Sequence, residues 1–340
     1  MTSLICRNAF EVVSDTEWDE FVENHHDSMV FHSRAYINAL RQTNAFDVRP
    51  RFLFDEEKLV GLLFVVILKS SRKMLTRFTQ RSVSFGGPLS EGNNTRYLDS
   101  LLTDWTSEGS LYTEIRCYKS MEWARENLKK FGFDYEPHLD ILIDLSNTER
   151  VWNTLKSKKR QRIRKAEKNG IEVSYEMNPS QSELSSSYAL LNELYQRIKL
   201  PIPKEDGFIG LCTVLKEQKK LLLVTLKKDS ALLGFRLVLL HKDLIYDWYA
   251  ADKAGYRNLA INEMAVWHVI KWGGEQQYKV FDFGGAGHPE KEYGVRDFKL
   301  QFGGEVVNFG RYQKIHKILM MKFVMMIFKL FQRLNLVSKV

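Results

Sequence analysis

Between Lys156 and Lys168 the chain carries eight basic residues, Lys156, Lys158, Lys159, Arg160, Arg162, Arg164, Lys165 and Lys168, against one acid, Glu167. Arg160 and Arg164 lie one helical turn apart, so both guanidinium groups can face one ligand. Guanidinium forks grip phosphates through paired hydrogen bonds. A pyrophosphate on a nucleotide- or lipid-linked compound, or a nucleic-acid backbone, suits such a pair; a solvated helix face accounts equally well for the lysines. Further along, Gly284, Gly285 and Gly287 follow a predicted strand and permit close backbone approach. Asp282 at the end of that strand is placed either to orient a substrate amine or to cap the following turn. Tyr246, Trp248 and Tyr249 sit on another predicted strand. Simple alternation puts Tyr246 and Trp248 on one face and Tyr249 on the other, with one tyrosine reaching a cleft and the others packing. His288, beside the glycines, is a candidate base. The sequence shows no zinc-ligand spacing, phosphate loop, serine triad or helix-turn-helix signature, so no metal site is expected.

The charge of the chain is unevenly placed. Of 340 residues, 50 are basic and 42 acidic, a net charge of +8. Seven of the basic residues, Arg311, Lys314, Lys317, Lys322, Lys329, Arg333 and Lys339, follow Glu305 with no acid among them. The rest of the chain is therefore close to neutral, unlike a dedicated nucleic-acid binder. The tail is also rich in Ile, Leu, Met and Phe. On a helix from Gln313 to Leu334, five of its cations fall within an arc of roughly 160°. Such a helix suits an anionic membrane surface; docking on the protein body or on a second subunit is the alternative. It has no charge-free run of the roughly 20 residues that a span requires. Cys6, Cys117 and Cys212 are too few and too scattered for a disulfide framework, which fits a reducing compartment. No charged segment followed by an apolar run marks the N-terminus as a secretion signal. The expectation is a cytoplasmic protein, peripheral on the inner face of the plasma membrane.

The pattern of elements is mixed α and β. Helices are predicted at 15–24, at 33–42 with Ser33 as cap, and at 121–131. Strands are predicted at 48–54 and 59–68 around Asp55-Glu-Glu, at 111–116, and as one long strand through 133–145. Capping boxes at Ser146–Glu149 and Ser180–Glu183 open new helices. Three apolar strands follow at 221–226, 231–240 and 244–250, then a helix over 258–272 and a strand at 279–282. Two stretches of the first half match the second: Glu57–Val66 with Ser230–Leu239, and Ser84-Phe-Gly-Gly with Asp282-Phe-Gly-Gly. These matches predict a degenerate duplication of one α/β unit. The expected organisation is a first domain over 1–146, a second over 147–312 and a basic amphipathic helix over 313–340.

Several of these segments resemble the Fem-type peptidyltransferases, in which two acetyltransferase-like (GNAT) domains lie in tandem. The resemblance rests on Trp152–Val173 with its Arg, Ala and Gly pattern, on Phe281-Asp-Phe-Gly-Gly285, and on Gly294-Val-Arg-Asp-Phe298-Lys299 through Gly304; His32–Tyr36 and Gly86-Gly-Pro carry it more weakly. The segment 182–218 is too short for the two-helix arm that some members insert. The resemblance implies an α/β fold of two tandem GNAT-like domains with mixed sheets flanked by helices. It implies an acyltransferase that passes an aminoacyl group from aminoacyl-tRNA, with no further cofactor, to an amine of a phosphate-bearing or lipid-linked peptidoglycan precursor. On this basis Lys299 is the expected oxyanion-stabilising cation, with Asp282 beside it in a cleft between the domains. Arg160, Arg164, Tyr246, Tyr249, Phe283, Gly284, Gly285 and Phe298 are expected to bind substrate. The rival is an acyl-CoA-dependent N-acyltransferase acting on an amino sugar or other small amine. It needs a glycine-rich turn where this chain reads Arg257-Asn-Leu-Ala260-Ile-Asn262.

Overall fold

The two apolar runs around Asp55 form a hairpin: β2 (Asp47–Asp55) pairs antiparallel with β3 (Lys58–Leu68), and Glu56, at φ 55°, makes the turn. In the computed structural model, residues 4–43, 46–68, 79–105 and 109–333 are described, with side chains except at 257 and 328–333. They form two compact units, Met1–Pro137 with Asn308–Val340, and His138–Val307.

The sheet of the first unit runs in the order β1 (Leu4–Arg7), β2, β3, β4 (Arg81–Phe85), β6 (Tyr112–Arg116), β15 (Arg311–Ile315), β7 (Asp134–Glu136), and β5 (Leu89–Ser90) pairs with β3. The helices α1 (Asp15–Asn24) and α2 (Arg34–Gln42) start at the side-chain caps Ser14 and Ser33. Two more, α3 (Thr95–Leu102) and α4 (Arg125–Lys130), contribute Leu98, Leu101 and Leu128 to a core with Leu53, Leu63, Ile115 and Tyr312. The weakly Fem-like residues meet here. Nε2 of the buried His32 donates to the Gly87 carbonyl at 3.1 Å, and Nδ1 accepts the Met29 N–H at 3.0 Å. This histidine is a neutral structural bridge.

In the second unit the order is β14 (Glu305–Asn308), β8 (Leu139–Asp144), β13 (Val280–Gly287), β12 (Leu244–Asp252), β11 (Ala231–His241), β10 (Leu221–Lys228), β9 (Glu172–Glu176). Its helices are α5 (Thr148–Thr154), α6 (Ser157–Lys168), α7 (Gln181–Arg197), α8 (Glu205–Glu217), α9 (Ile261–Glu275) and the short α10 (Gly294–Leu300). The Ser180 capping box opens α7 as predicted, whereas Asn147, one residue beyond Ser146, caps α5. Leu222, Val224, Val238, Ile245, Met264, Phe281 and Phe302 fill the core. Each such side chain contributes about 1.5–3 kcal/mol on burial.

Four expectations change. The strand predicted through 133–145 is two strands, β7 in the first sheet and β8 in the second, divided at Pro137, which lacks an N–H for a ladder. The units consequently divide at 137/138 and 307/308 rather than at 146 and 312. Residues 311–315 form β15, inserted between β6 and β7, so Lys314 lies on a strand and the tail helix α11 begins at Ile318 and is described to Arg333; 334–340 lie outside the described residues. Finally, the two Phe-Gly-Gly runs are not equivalent. Each sheet has a parallel junction, β4 with β6 and β12 with β13. Phe85-Gly-Gly follows the earlier strand of its junction, whereas Phe283-Gly-Gly lies in the later strand of the other. The match of Gly61 with Gly234 holds. A Cβ on Gly61 would sit 3.0 Å from Leu101 of α3, and one on Gly234 would collide with Ile261 of α9.

Candidate functional site

The parallel ladder between β12 and β13 runs from Leu244–Val280 through Ile245–Phe281 to Tyr246–Asp282. Beyond that pair β12 continues to pair with β11, and β13 pairs irregularly with β8. The predicted site residues gather where the ladder ends.

Lys299, on α10, is 9% exposed, not a surface charge. Its Nζ donates to three successive carbonyls, those of Phe283 at 2.5 Å, Gly284 at 3.2 Å and Gly285 at 3.0 Å. An ammonium has three protons, so all of them are engaged. Burial pushes Lys299 below the ordinary lysine range; Asp247, Asp140 and Asp282 draw it back up, and Arg236 adds to the fall. Asp282 is fully buried, and its Oδ1 accepts the Gly284 N–H at 2.7 Å. Through Oδ1 it braces the turn. Gly284 has φ 67°, and a Cβ there would lie 3.2 Å from the Tyr246 hydroxyl, so only glycine lets the two strands approach at this point.

The other predicted residues are more dispersed. The register of β11 and β12 shifts between Leu237–Tyr249 and Val238–Asp247, which makes Trp248 a bulge residue. The bulge cancels the expected alternation. Trp248 and Tyr249 both pack on Phe208 of α8, with ring centroids 6.4 and 5.7 Å away, so Tyr249 belongs to an aromatic cluster. Phe283 lies within the core against Phe281 and Phe302, and the half-buried Phe298 packs on its edge against Phe302. Arg160 turns one nitrogen onto the carbonyls of Asn153 at 2.9 Å and Leu155 at 2.5 Å, closing the end of α5. Arg164 is exposed, its guanidinium 5.4 Å from the Trp152 ring. The two arginines do not form the expected clamp. His288 accepts the Glu290 N–H at 3.2 Å in a turn.

Sequence reasoning missed two buried charge groups. Arg236 (3% exposed) pairs through NH1 with Asp247 and donates through NH2 to Asn262 Oδ1 at 2.7 Å. Its guanidinium lies 6.0 Å from the Phe283 ring, 16 residues before Lys299 in the chain. In the first turn of α9, Glu263 holds Lys159 at 3.4 Å and Arg162 at 3.2 Å, while Lys159 lies 4.4 Å from the Phe298 ring. Burial lowers the Lys159 pKa, and Glu263 opposes the shift. A charged residue inside an apolar strand, such as Arg236 within Leu232–Leu240, was the available signal. Of the eight basic residues of 156–168, Lys156, Lys158, Arg164, Lys165 and Lys168 remain exposed.

These features define a class. Residues 155–298 match the acetyltransferase (GNAT) domain family, and the chain has the fold of a tandem GNAT protein. FemX shares this fold across 93% of the chain and 99% of its own, with TM-score 0.71 and 14% identity. The C-terminal domain of a putative lysylphosphatidylglycerol synthetase from Agrobacterium fabrum covers 91% of the chain and 94% of its own length, with TM-score 0.60 and 12% identity. A tandem GNAT protein from the clavulanic acid biosynthesis pathway covers 92% and 98%, with TM-score 0.56 and 8% identity. No curated protein sequence matches the chain.

Proposed function

We propose that this chain transfers an aminoacyl group from an activated ester, an aminoacyl-tRNA, to an amine of a cell-envelope precursor. The observation that carries this reading is the buried Lys299 ammonium drawn onto three successive carbonyls of β13 where its ladder with β12 ends. In a trans peptide the N–H points opposite to the C=O. A cation on the carbonyl side therefore polarises the amides of 284–286 on their far side, and of these the Gly284 N–H is held by Asp282 Oδ1. As the amine attacks and the C–N bond forms, the carbonyl oxygen of the ester gains negative charge, which polarised amides stabilise without reorganisation. Collapse breaks the C–O bond, and the ribose hydroxyl leaves with the proton lost by the amine. Lys299 is a positioning residue in this scheme, acting through the backbone. Asp282 and Gly284 fix the shape of that backbone.

The exposed cations of α6 supply phosphate contacts for a tRNA or a diphosphate-bearing acceptor. The shared fold with FemX, and with a protein whose name denotes a lysyl group joined to phosphatidylglycerol, supports aminoacyl transfer as the class. The start of α9 lacks the glycine turn that an acyl-CoA pyrophosphate would use: Ala260 is buried there and the Asn262 side chain is held by Arg236, which supports the aminoacyl-tRNA reading over the acyl-CoA one. The test is mass spectrometry of an envelope-precursor acceptor after incubation with mixed aminoacyl-tRNAs or, in parallel, acetyl-CoA. A mass gain of one aminoacyl residue is expected. A gain of one acetyl group, from acetyl-CoA alone, would establish the rival activity.

A further inference from the structure

Helix α11 leaves a wholly apolar-and-cationic face in solvent. Leu319 is 82% exposed, Met326 53% and Phe323 49%. With exposed Lys322 they share one face, at spacings of three, four and seven residues. Lys329 and Arg333 follow on the same helix, seven and eleven positions after Lys322. The root of the helix is held by the first unit: β15 pairs with β6 and β7, the N–H groups of His316 and Lys317 donate to the Leu111 carbonyl at 2.8 and 3.2 Å, and Lys317 Nζ donates to Gly109 O at 2.5 Å.

We infer that this face of α11 docks on an anionic lipid bilayer, lying in the plane of its surface. This rests on the helix alone and is independent of the transfer reaction. Charge selects the occupant. Seven cations and no acid follow Glu305, so a second copy packed on this helix would set cation against cation. Exposed Leu, Phe and Met call for an apolar phase rather than a purely polar polyanion. An anionic bilayer offers both, receiving the apolar side chains between headgroups while phosphates meet the lysines. The helix has 16 residues, about 24 Å at 1.5 Å each, and no described helix is long and apolar enough to cross a membrane.

The test is co-sedimentation of the full chain with vesicles of phosphatidylglycerol and phosphatidylcholine in equal parts, against pure phosphatidylcholine. Three proteins are compared: the unaltered chain, Leu319→Ser with Phe323→Ser and Met326→Ser, and Lys322→Gln with Lys329→Gln and Arg333→Gln. Thermal midpoints establish that each is folded, and sedimentation velocity gives its oligomeric state. Each cation near an anionic surface strengthens binding about fivefold, so the Gln variant is expected to bind the anionic vesicles on the order of a hundredfold more weakly. The Ser variant is expected to lose binding, and added salt to weaken the unaltered chain. Indifference of the unaltered chain to lipid charge, or binding retained by the Ser variant, overturns the inference. So does a dimer of the unaltered chain that the Ser variant dissolves, which would assign the face to a second copy.

Discussion

The buried Arg236 and Lys299 and the half-buried Asp247 are charges in one small region, and each is held in place by partners that a single substitution removes. Asp247 is the sharpest case. Arg236 is 3% exposed and has Asp247 as its ion-pair partner. Asp247→Ala leaves that guanidinium uncompensated, which is expected to cost about 3–5 kcal/mol of stability. Asp247→Leu combined with Arg236→Met removes both charges and is expected to recover most of the loss, as read from urea midpoints of the single and double variants. A double variant no more stable than Asp247→Ala would mean that the pair does not brace the fold. None of this was legible from spacing, because an isolated Arg or Asp in an apolar strand does not reveal its partner. The Lys299 position was legible through the Phe298-Lys299 motif. Its engagement with the carbonyls of 283–285 was not, since nothing in the motif says that α10 turns the side chain inward.

Among the elements, β12 shows how a one-residue irregularity decides a face. Alternation separates Trp248 from Tyr249, but the bulge at Trp248 sends both onto Phe208. A bulge leaves no mark in the hydrophobic pattern. The Ser33 and Ser180 caps and the β2–β3 hairpin do leave marks, and they form as expected. Helix α9 carries a further buried group. Burial pushes His268 down to about 4, and the Tyr175 hydroxyl, itself raised to about 12, lies 2.6 Å from its Nδ1. The unfolded chain binds this proton near pH 6.5, whereas the folded chain resists it until about pH 4. Stability from His268 is therefore complete above pH 6.5 and is lost as pH falls toward 4, by about 3 kcal/mol in all. The difference in thermal midpoint between the unaltered chain and His268→Gln, measured against pH, is expected to be constant above that window and to shrink within it. A constant difference throughout would show that folding does not shift the His268 pKa.

At the scale of the whole molecule, a duplicated α/β unit was legible because the hairpin with its glycine recurs at Gly61 and Gly234 where helices α3 and α9 approach, and the tandem GNAT arrangement was legible through the Fem-type resemblance. The unit boundaries were not. The sheet of the first unit takes β15 from beyond the second unit, and a pattern read along the chain carries no record of such a return. The central claim for the molecule is that Lys299 polarises the 283–285 backbone for acyl transfer. It is tested most directly by single-turnover transfer from preformed aminoacyl-tRNA to the precursor amine, comparing the unaltered chain with Lys299→Met at a temperature where both are folded. The account predicts a rate lower by roughly 10²-fold in the variant, the scale of losing preorganised oxyanion stabilisation, with acceptor affinity nearly unchanged. Equal rates in two folded proteins would contradict it.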